Sequence, residues 1–166
     1  MKNLDKLGNT IDKAVNILIV IFFSVLISSC VLQVFTRYVL NKAFSWTEEL
    51  ARYTFIWANL LGAVICTKKG THATVTALSE KYPPGLKRIV GAFIQVVVML
   101  IALVMIRYGV KVTYMTIRQT SAAMKISMAL VNSSIPICGI LIFIHSFVHL
   151  VKLIEEYRVS ERGDAK

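Results

Sequence analysis

Acidic residues and paired cysteines are scarce in this chain, and each scarcity excludes a class of protein. The 166 residues include only nine Asp and Glu and three cysteines. Cys30, Cys66 and Cys138 each lie inside an apolar run, and no two have the spacing of a CxxC motif. This pattern excludes a disulfide framework, a cysteine zinc site and a thiol–disulfide relay, and it favours small packing residues.

Basic residues, in contrast, are abundant, with 19 Lys and Arg and a net charge of +10. They lie between apolar runs rather than in one patch, which disfavours nucleic-acid binding. The chain is 56% hydrophobic and its mean hydropathy is +0.66, which is unusually apolar for a soluble domain. Cationic loops that face anionic lipid explain the basic excess, so we predict an integral membrane protein.

Four apolar runs are long enough to cross a bilayer core, which takes about 20 helical residues. The predicted spans cover residues 14–37, 46–67, 89–116 and 126–151. Pro136 predicts a kink in the fourth span. Apolar residues at helical spacing between flanking lysines predict an interfacial amphipathic helix at 71–82. The predicted fold is all-α, a single membrane domain over 1–166 with four transmembrane helices and that short interfacial helix.

Loop charges predict the orientation of these spans. Twelve Lys and Arg lie in the two tails and between spans two and three, against seven in the other two loops. By the positive-inside rule, both termini are cytoplasmic. The first apolar run is too long for a typical cleaved signal, and it stays apolar after "ISSC", a loose match to a lipoprotein processing site. We therefore expect a retained first span.

The stretch "FSWTEELARY" places charges where the second span begins. Ser45 and Glu48 have the spacing of a capping box, and the helix dipole favours Glu48 and Glu49 in the first turn. Arg52 can pair with either glutamate, and Trp46 suits an interfacial aromatic belt. Helix initiation and membrane anchoring together are one sufficient explanation of the motif.

A second interpretation comes from the spacing further along the same helix. Steps of four and three residues define one face, here called the seam: Glu48, Arg52, Phe55, Asn59, Gly62 and Cys66. Membrane helices pack through small residues and interhelical hydrogen bonds, so the seam predicts a protein neighbour. Glu49 points about 100° away from Glu48 around the helix axis, which predicts a second protein neighbour for this helix. Arg37 is expected to close a charge cluster with one of the glutamates.

Two other functions fit the pattern less well. Ionisable groups deep in a membrane mark ion paths, but no acid lies midway along a span. There is also no internal repeat of the kind that builds a stand-alone carrier. His145 and His149 share one helix face, whereas bis-histidine haem needs ligands on opposing helices. A membrane-anchor subunit of a quinone- or haem-linked enzyme stays open as the alternative; we expect no enzyme activity, no cofactor and no metal site.

Several of these residues together match a known family. The matching positions are Arg37, Trp46, Glu48, Glu49, Arg52, Trp57, Gly62, Ala63, Gly70, His72 and Val75. With them, the chain resembles the small membrane subunit (Q-type) of tripartite ATP-independent periplasmic (TRAP) transporters. Lys68 stands where arginine is commoner, which is a conservative difference.

The resemblance implies a small scaffold subunit of a sodium-driven importer of organic anions: dicarboxylates, other carboxylates or sialic acids. It implies a large TRAP membrane subunit and a periplasmic substrate-binding protein as partners, with membrane lipid, in the bacterial inner membrane. With the seam, it implies a subunit-interface cluster of Arg37, Trp46, Glu48, Glu49, Arg52, Trp57, Asn59 and Gly62. The weaker candidates are Asn41, Lys42 and Arg118 for contacting the binding protein, and His72 for fixing the interfacial helix.

Overall fold

The computed structural model describes residues 2–42, 44–68 and 84–164, with side chains described at 13–42, 44–68 and 90–151. Helices make up most of this part, which contains no β-strand and only an isolated bridge between Thr120 and Ser127. The predicted all-α fold is therefore confirmed.

The described part contains five helices. They are α1 (Lys2–Tyr38), α2 (Ser45–Lys68), α3 (Pro84–Met115), α4 (Met128–Asn132) and α5 (Ser134–Asp164). Four stretches of the described chain are long and apolar enough to cross a membrane: Lys13–Tyr38, Ser45–Lys68, Val90–Met115 and Met128–Val151. Four membrane spans were expected from the sequence, and four are found. The predicted interfacial helix at 71–82, with His72, lies outside the described residues.

The spans pack in the order α1, α2, α5, α3. Within the described ranges, α1 packs along α2, α2 along α5, and α5 along α3, while α1 and α3 make no extended contact. In the most apolar 18-residue stretch of each span, 11% is buried in the first and third spans, against 22% in the second and 33% in the fourth. The first and third spans therefore expose most of their surface to lipid or to another protein.

Between α1 and α2, packing depends on small and aromatic side chains. The buried residues of α2 form one stripe: Thr47, Thr54, Ala58, Leu61, Val64 and Thr67. The hydroxyls of Thr54 and Thr67 donate to carbonyls one turn earlier, at 2.7 and 2.9 Å, so these polar groups are satisfied. The rings of Phe22 and Trp57 stack with their centroids 5.6 Å apart. This stripe defines the face of α2 that belongs to the chain's own core.

Glycine lets α3 and α5 approach each other closely. A Cβ added to Gly109 would lie 2.8 Å from Cδ of Pro136, and one added to Gly139 would lie 3.3 Å from the carbonyl oxygen of Ala102. Deeper in the same interface, the buried Ser146 hydroxyl donates to Oε1 of Gln95 at 2.5 Å. Small residues and interhelical hydrogen bonds are the usual means of packing helices in a membrane.

The fourth span is interrupted at Ser133, between α4 and α5, close to the predicted kink. Pro136 has no N–H and removes one bond of the helical ladder. The hydroxyl of Ser134 donates to the Val131 carbonyl at 2.7 Å, and the Ile137 N–H donates to the Ser133 carbonyl at 3.2 Å. The break is therefore re-satisfied locally.

Candidate subunit interface

The beginning of α2 differs from the predicted capping box. The helix starts at Ser45, and the hydroxyl and N–H of Thr47 both donate to the Phe44 carbonyl, at 2.7 and 3.1 Å. Among the described contacts, Ser45 and Glu48 do not form the reciprocal bonds of a capping box. Glu48 pairs with Arg52 along the helix instead, and Thr47 bonds the first turn to Phe44, the residue before the helix.

Glu48 and Arg52 form an ion pair one turn apart. Nη2 of Arg52 donates to Oε1 of Glu48 at 2.9 Å, and the two side chains are 63% and 61% exposed. An exposed i,i+4 pair contributes little to stability by itself, so its place at the top of a membrane span needs another explanation.

The seam is the surface of α2 that the rest of this chain leaves uncovered. Phe55 is 54% exposed, and Asn59 and Cys66 are also exposed. Nothing lies within 4 Å of the place where a Cβ on Gly62 would be. Asn59 donates from Nδ2 to the Phe55 carbonyl at 2.9 Å, and its Oδ1 has no partner among the described residues. The small and polar residues of the seam therefore play no part in packing this chain.

Glu49 has a different neighbour, within the chain. Its Oε1 accepts from the N–H of Ala123 and its Oε2 from the N–H of Met124, both at 3.0 Å. One turn further along, the Tyr53 hydroxyl contacts Sδ of Met128 at 3.5 Å. This side of α2 holds the connection between the third and fourth spans.

The other predicted cluster residues do not join these glutamates. Arg37 is exposed at the end of α1 and makes no ion pair with Glu48 or Glu49, so that predicted charge cluster is absent from the structure. The Trp57 ring stacks on Phe22 inside the chain. Trp46 is 41% exposed and lies beside the Phe44 ring.

The weaker candidates lie on the two connections at the same end of the molecule. Asn41 and Lys42 are exposed in the turn between α1 and α2, where Asn41 has φ of +50° and the Lys42 N–H donates to the Thr36 carbonyl. Arg118 is exposed just after α3. The structure thus places all three on loops rather than on spans.

Sequence reasoning missed two contacts. The partners of Glu49 are backbone amides of residues more than 70 positions away, which no side-chain pattern indicates. Gln95 is visible in the sequence as a deep amide, but its pairing with Ser146 depends on how α3 and α5 pack. Within the described ranges, no group of three or more His, Cys, Asp or Glu is placed to hold a metal ion.

Residues 24–156 match the family described as "Tripartite ATP-independent periplasmic transporters, DctQ component". The chain belongs to this family. DctQ components are parts of a transporter rather than enzymes, which decides against the alternative of an enzyme's membrane anchor. Membership also makes this chain a multi-pass protein of the inner membrane, in agreement with its four apolar helices.

Three relatives are similar to this DctQ-family chain. A TRAP transporter small permease protein of Haemophilus influenzae is 40% identical over 78 residues, 47% of this chain and 48% of the relative. The sialic acid TRAP transporter small permease protein SiaQ of Vibrio cholerae is 35% identical over 83 residues, 50% of this chain and 46% of SiaQ. The match spans about half the length of each of these two relatives.

The third relative is a longer protein. The sialic acid TRAP transporter permease protein SiaT of Haemophilus influenzae is 25% identical over 111 residues. That match covers 67% of this chain but only 17% of SiaT. In SiaT, a segment similar to this chain is therefore one part of a much larger permease polypeptide.

Proposed function

We propose that this chain is the small scaffold subunit of a sodium-driven TRAP transporter that imports an organic anion, either a dicarboxylate, another carboxylate or a sialic acid. It works with a large permease subunit in the membrane and with a periplasmic substrate-binding protein. The exposed seam of α2 is the observation on which the proposal rests, because it is a surface for a protein partner in the membrane.

Lipid is a poor neighbour for the seam. The second span has a mean hydropathy of 1.3, against 2.0 to 2.7 for the other three. Asn59 faces outward from the middle of this span, and a polar group without a partner is costly in hydrocarbon. Gly62 and Cys66 add no bulk, so the backbone of another helix can approach closely. These features favour a helix of another protein over acyl chains.

A large permease is the partner that the comparisons support. In SiaT, a segment similar to this chain and the rest of the permease belong to one polypeptide. Two parts that are joined covalently in one protein are expected to associate when they are separate chains in another. The sialic acid transporters among the relatives support an organic anion as the substrate class.

The scaffold role follows from what the seam offers. It has one exposed ion pair at its top and one amide along its length, which suits helix–helix contact rather than ion passage. The resemblance assigns the substrate and sodium sites to the large subunit. At the outer end, Asn41, Lys42 and Arg118 are exposed and remain our candidates for contacting the binding protein.

The interface is tested with two matched glycines. Neither Gly62 nor Gly91 has an atom within 4 Å of an added Cβ, so a side chain can leave the backbone at either position without meeting this chain at its Cβ. Gly62→Leu is expected to weaken co-purification with the large subunit roughly tenfold or more, as overpacking an interface does. Gly91→Leu is the control and should co-purify normally. Equal recovery of the large subunit with both variants would contradict the seam as its contact surface.

Transport itself is tested by reconstitution. Proteoliposomes with this chain, the large subunit and the binding protein should take up labelled sialic acid or a labelled dicarboxylate along an inward sodium gradient. Omitting this chain should abolish uptake. Uptake that needs no sodium, or that proceeds without this chain, would contradict the proposed function.

A further inference from the structure

The connection between the third and fourth spans is an ordered hairpin rather than a loose loop. We name residues 116–127 the outer hairpin. Ser121 N–H donates to the Ile126 carbonyl at 2.9 Å, and Met128 N–H donates to the Gln119 carbonyl at 2.8 Å. Lys125 has φ of +54°, a left-handed conformation, and it lies in the turn that the bond between Ser121 and Ile126 closes.

The hairpin is also fixed at its base and at its tip. At the base, Nδ2 of Asn132 donates to Oγ1 of Thr116 at 3.0 Å. At the tip, both carboxylate oxygens of Glu49 accept successive N–H groups, those of Ala123 and Met124. A charged acceptor makes hydrogen bonds roughly twice as strong as a neutral one. Glu49 therefore ties the tip of the hairpin to α2.

The charge at this end of the molecule is strongly positive. Seven Lys and Arg, but only two acids, belong to the parts of the chain on this side: Arg37, Lys42, Arg52, Arg107, Lys111, Arg118 and Lys125, with Glu48 and Glu49. Both acids are occupied, Glu48 by Arg52 and Glu49 by the hairpin amides. Arg118 and Lys125 are exposed and make no ion pair within the described residues.

Apolar side chains lie exposed beside these cations. Tyr114 is 77% exposed, Met115 65% and Ile117 52%. The first cation of the third span is Arg107, and Tyr114 lies seven residues further along α3, or about 10 Å. With Arg107 taken as the edge of the hydrocarbon core, a headgroup layer of roughly 5–8 Å ends near Tyr114. Together with the neighbouring cations, these exposed apolar groups form a surface that a soluble protein can contact.

We propose that the outer hairpin and the end of α3 form a docking platform for a soluble protein that presents carboxylates around a small apolar centre. Glu49 is a positioning residue, because it fixes the tip without touching the partner. Tyrosine, methionine and arginine are enriched in protein interfaces, and this platform contains all three. This inference rests on the proposed function, in which the soluble partner is the periplasmic substrate-binding protein.

The ordered shape of the platform favours a protein over lipid headgroups. Headgroups move laterally and bind cations on flexible segments as well as on fixed ones. A partner of fixed shape binds better to a surface that is already ordered, because less conformational entropy is lost. That order comes from the backbone hydrogen bonds across the hairpin, from the bond between Asn132 and Thr116 at its base, and from Glu49 at its tip.

The charge is tested in the complex with the large subunit, reconstituted in nanodiscs. The probe is the purified soluble substrate-binding protein of the same transporter. Arg118→Glu with Lys125→Glu should slow its association about tenfold at low salt and reduce the salt dependence, because steering charges are reversed. Lys13→Glu, at the other end of the first span, is the matched control and should bind normally. Equal rates for the double variant and the wild type would overturn the proposal.

The positioning role of Glu49 has a separate readout. Glu49→Gln replaces one acceptor oxygen by an NH₂ group, so one of the two tip amides loses its partner. Hydrogen exchange at Ala123 and Met124 should become faster, and the binding protein should dissociate faster. Unchanged exchange at both amides would show that Glu49 does not position the tip.

Two further arms separate the possible failures. If the charge reversal slows binding only in nanodiscs of anionic lipid, and not in neutral lipid, the platform binds headgroups and the proposal is wrong. Co-purification of the large subunit is measured on the same samples. If the wild-type chain does not co-purify with the large subunit, the proposed function is contradicted. If the large subunit co-purifies but the charge-reversed variant binds the binding protein as the wild type does, only the platform is contradicted.

Discussion

Glu48 and Glu49 are adjacent in the sequence, but their carboxylates have different partners. Glu48 pairs with Arg52 at 2.9 Å on the exposed seam of α2. Glu49 accepts two backbone N–H groups from the outer hairpin of the same chain. The first turn of α2 therefore holds one carboxylate against its own chain and leaves the other on a surface that this chain does not cover.

The first prediction concerns the Glu48–Arg52 pair. Because both side chains are exposed, replacing either by alanine should change the free energy of unfolding by at most about 0.5 kcal/mol. Co-purification with the large subunit should nevertheless weaken. The double variant Glu48→Ala/Arg52→Ala should lose less than the two single variants summed, because the pair is lost once. Strict additivity of the two losses would show that the pair does not act as a unit.

Gly109 provides the second prediction. A Cβ there would meet Pro136, with 2.8 Å to its Cδ, so Gly109→Ala must push α3 and α5 apart. The expected cost is about 1–3 kcal/mol of stability, measured by unfolding in detergent micelles. Gly91→Ala, with open space around its Cβ, should be neutral or slightly stabilising. Wild-type stability for Gly109→Ala would contradict the close approach.

The third prediction concerns the hydrogen bond between Gln95 and Ser146, which are 5% and 0% exposed. Gln95→Leu and Ser146→Ala should each destabilise the α3–α5 pair. A double-mutant cycle should give a coupling of about 0.6 kcal/mol, the average for such bonds between membrane helices, and at most about 1.7 kcal/mol. A coupling near zero would mean that the two side chains do not interact in the membrane.

Membrane orientation is the fourth prediction, since the loop charges place both termini in the cytoplasm. In a background without the native cysteines, Lys125→Cys should react with a membrane-impermeant thiol reagent added to the periplasmic side. Lys13→Cys should react only after the inner membrane is opened. The reverse pattern of labelling would invert the topology and move the outer hairpin to the cytoplasm.

The local periodicity of the sequence was enough to predict the spans and the seam. Apolar runs of spanning length predict four membrane helices, and steps of four and three residues place Asn59 and Gly62 on one face. These inferences depend only on helix geometry, which residues near in sequence determine. They could be made before any packing was known.

Contacts between distant elements could not be predicted in the same way. Arg37 was expected beside the glutamates because it is close in sequence and carries the opposite charge, but the turn after α1 leaves it exposed. The packing of the glycines could not be predicted either, since Gly62 and Gly109 both lie in apolar helical runs and nothing in the sequence tells them apart. The structure buries Gly109 against Pro136 and leaves Gly62 open, because only tertiary packing decides which helix lies opposite.

The central claim, that the seam of α2 contacts the large permease, is tested most directly by site-specific photocrosslinking in cells that express both subunits. A photoreactive amino acid at Asn59 should give an adduct between this chain and the large subunit. The same group at Leu103, which is 48% exposed on α3, is the control and should give none. An adduct of two copies of this chain, or no adduct at all from Asn59, would contradict the account.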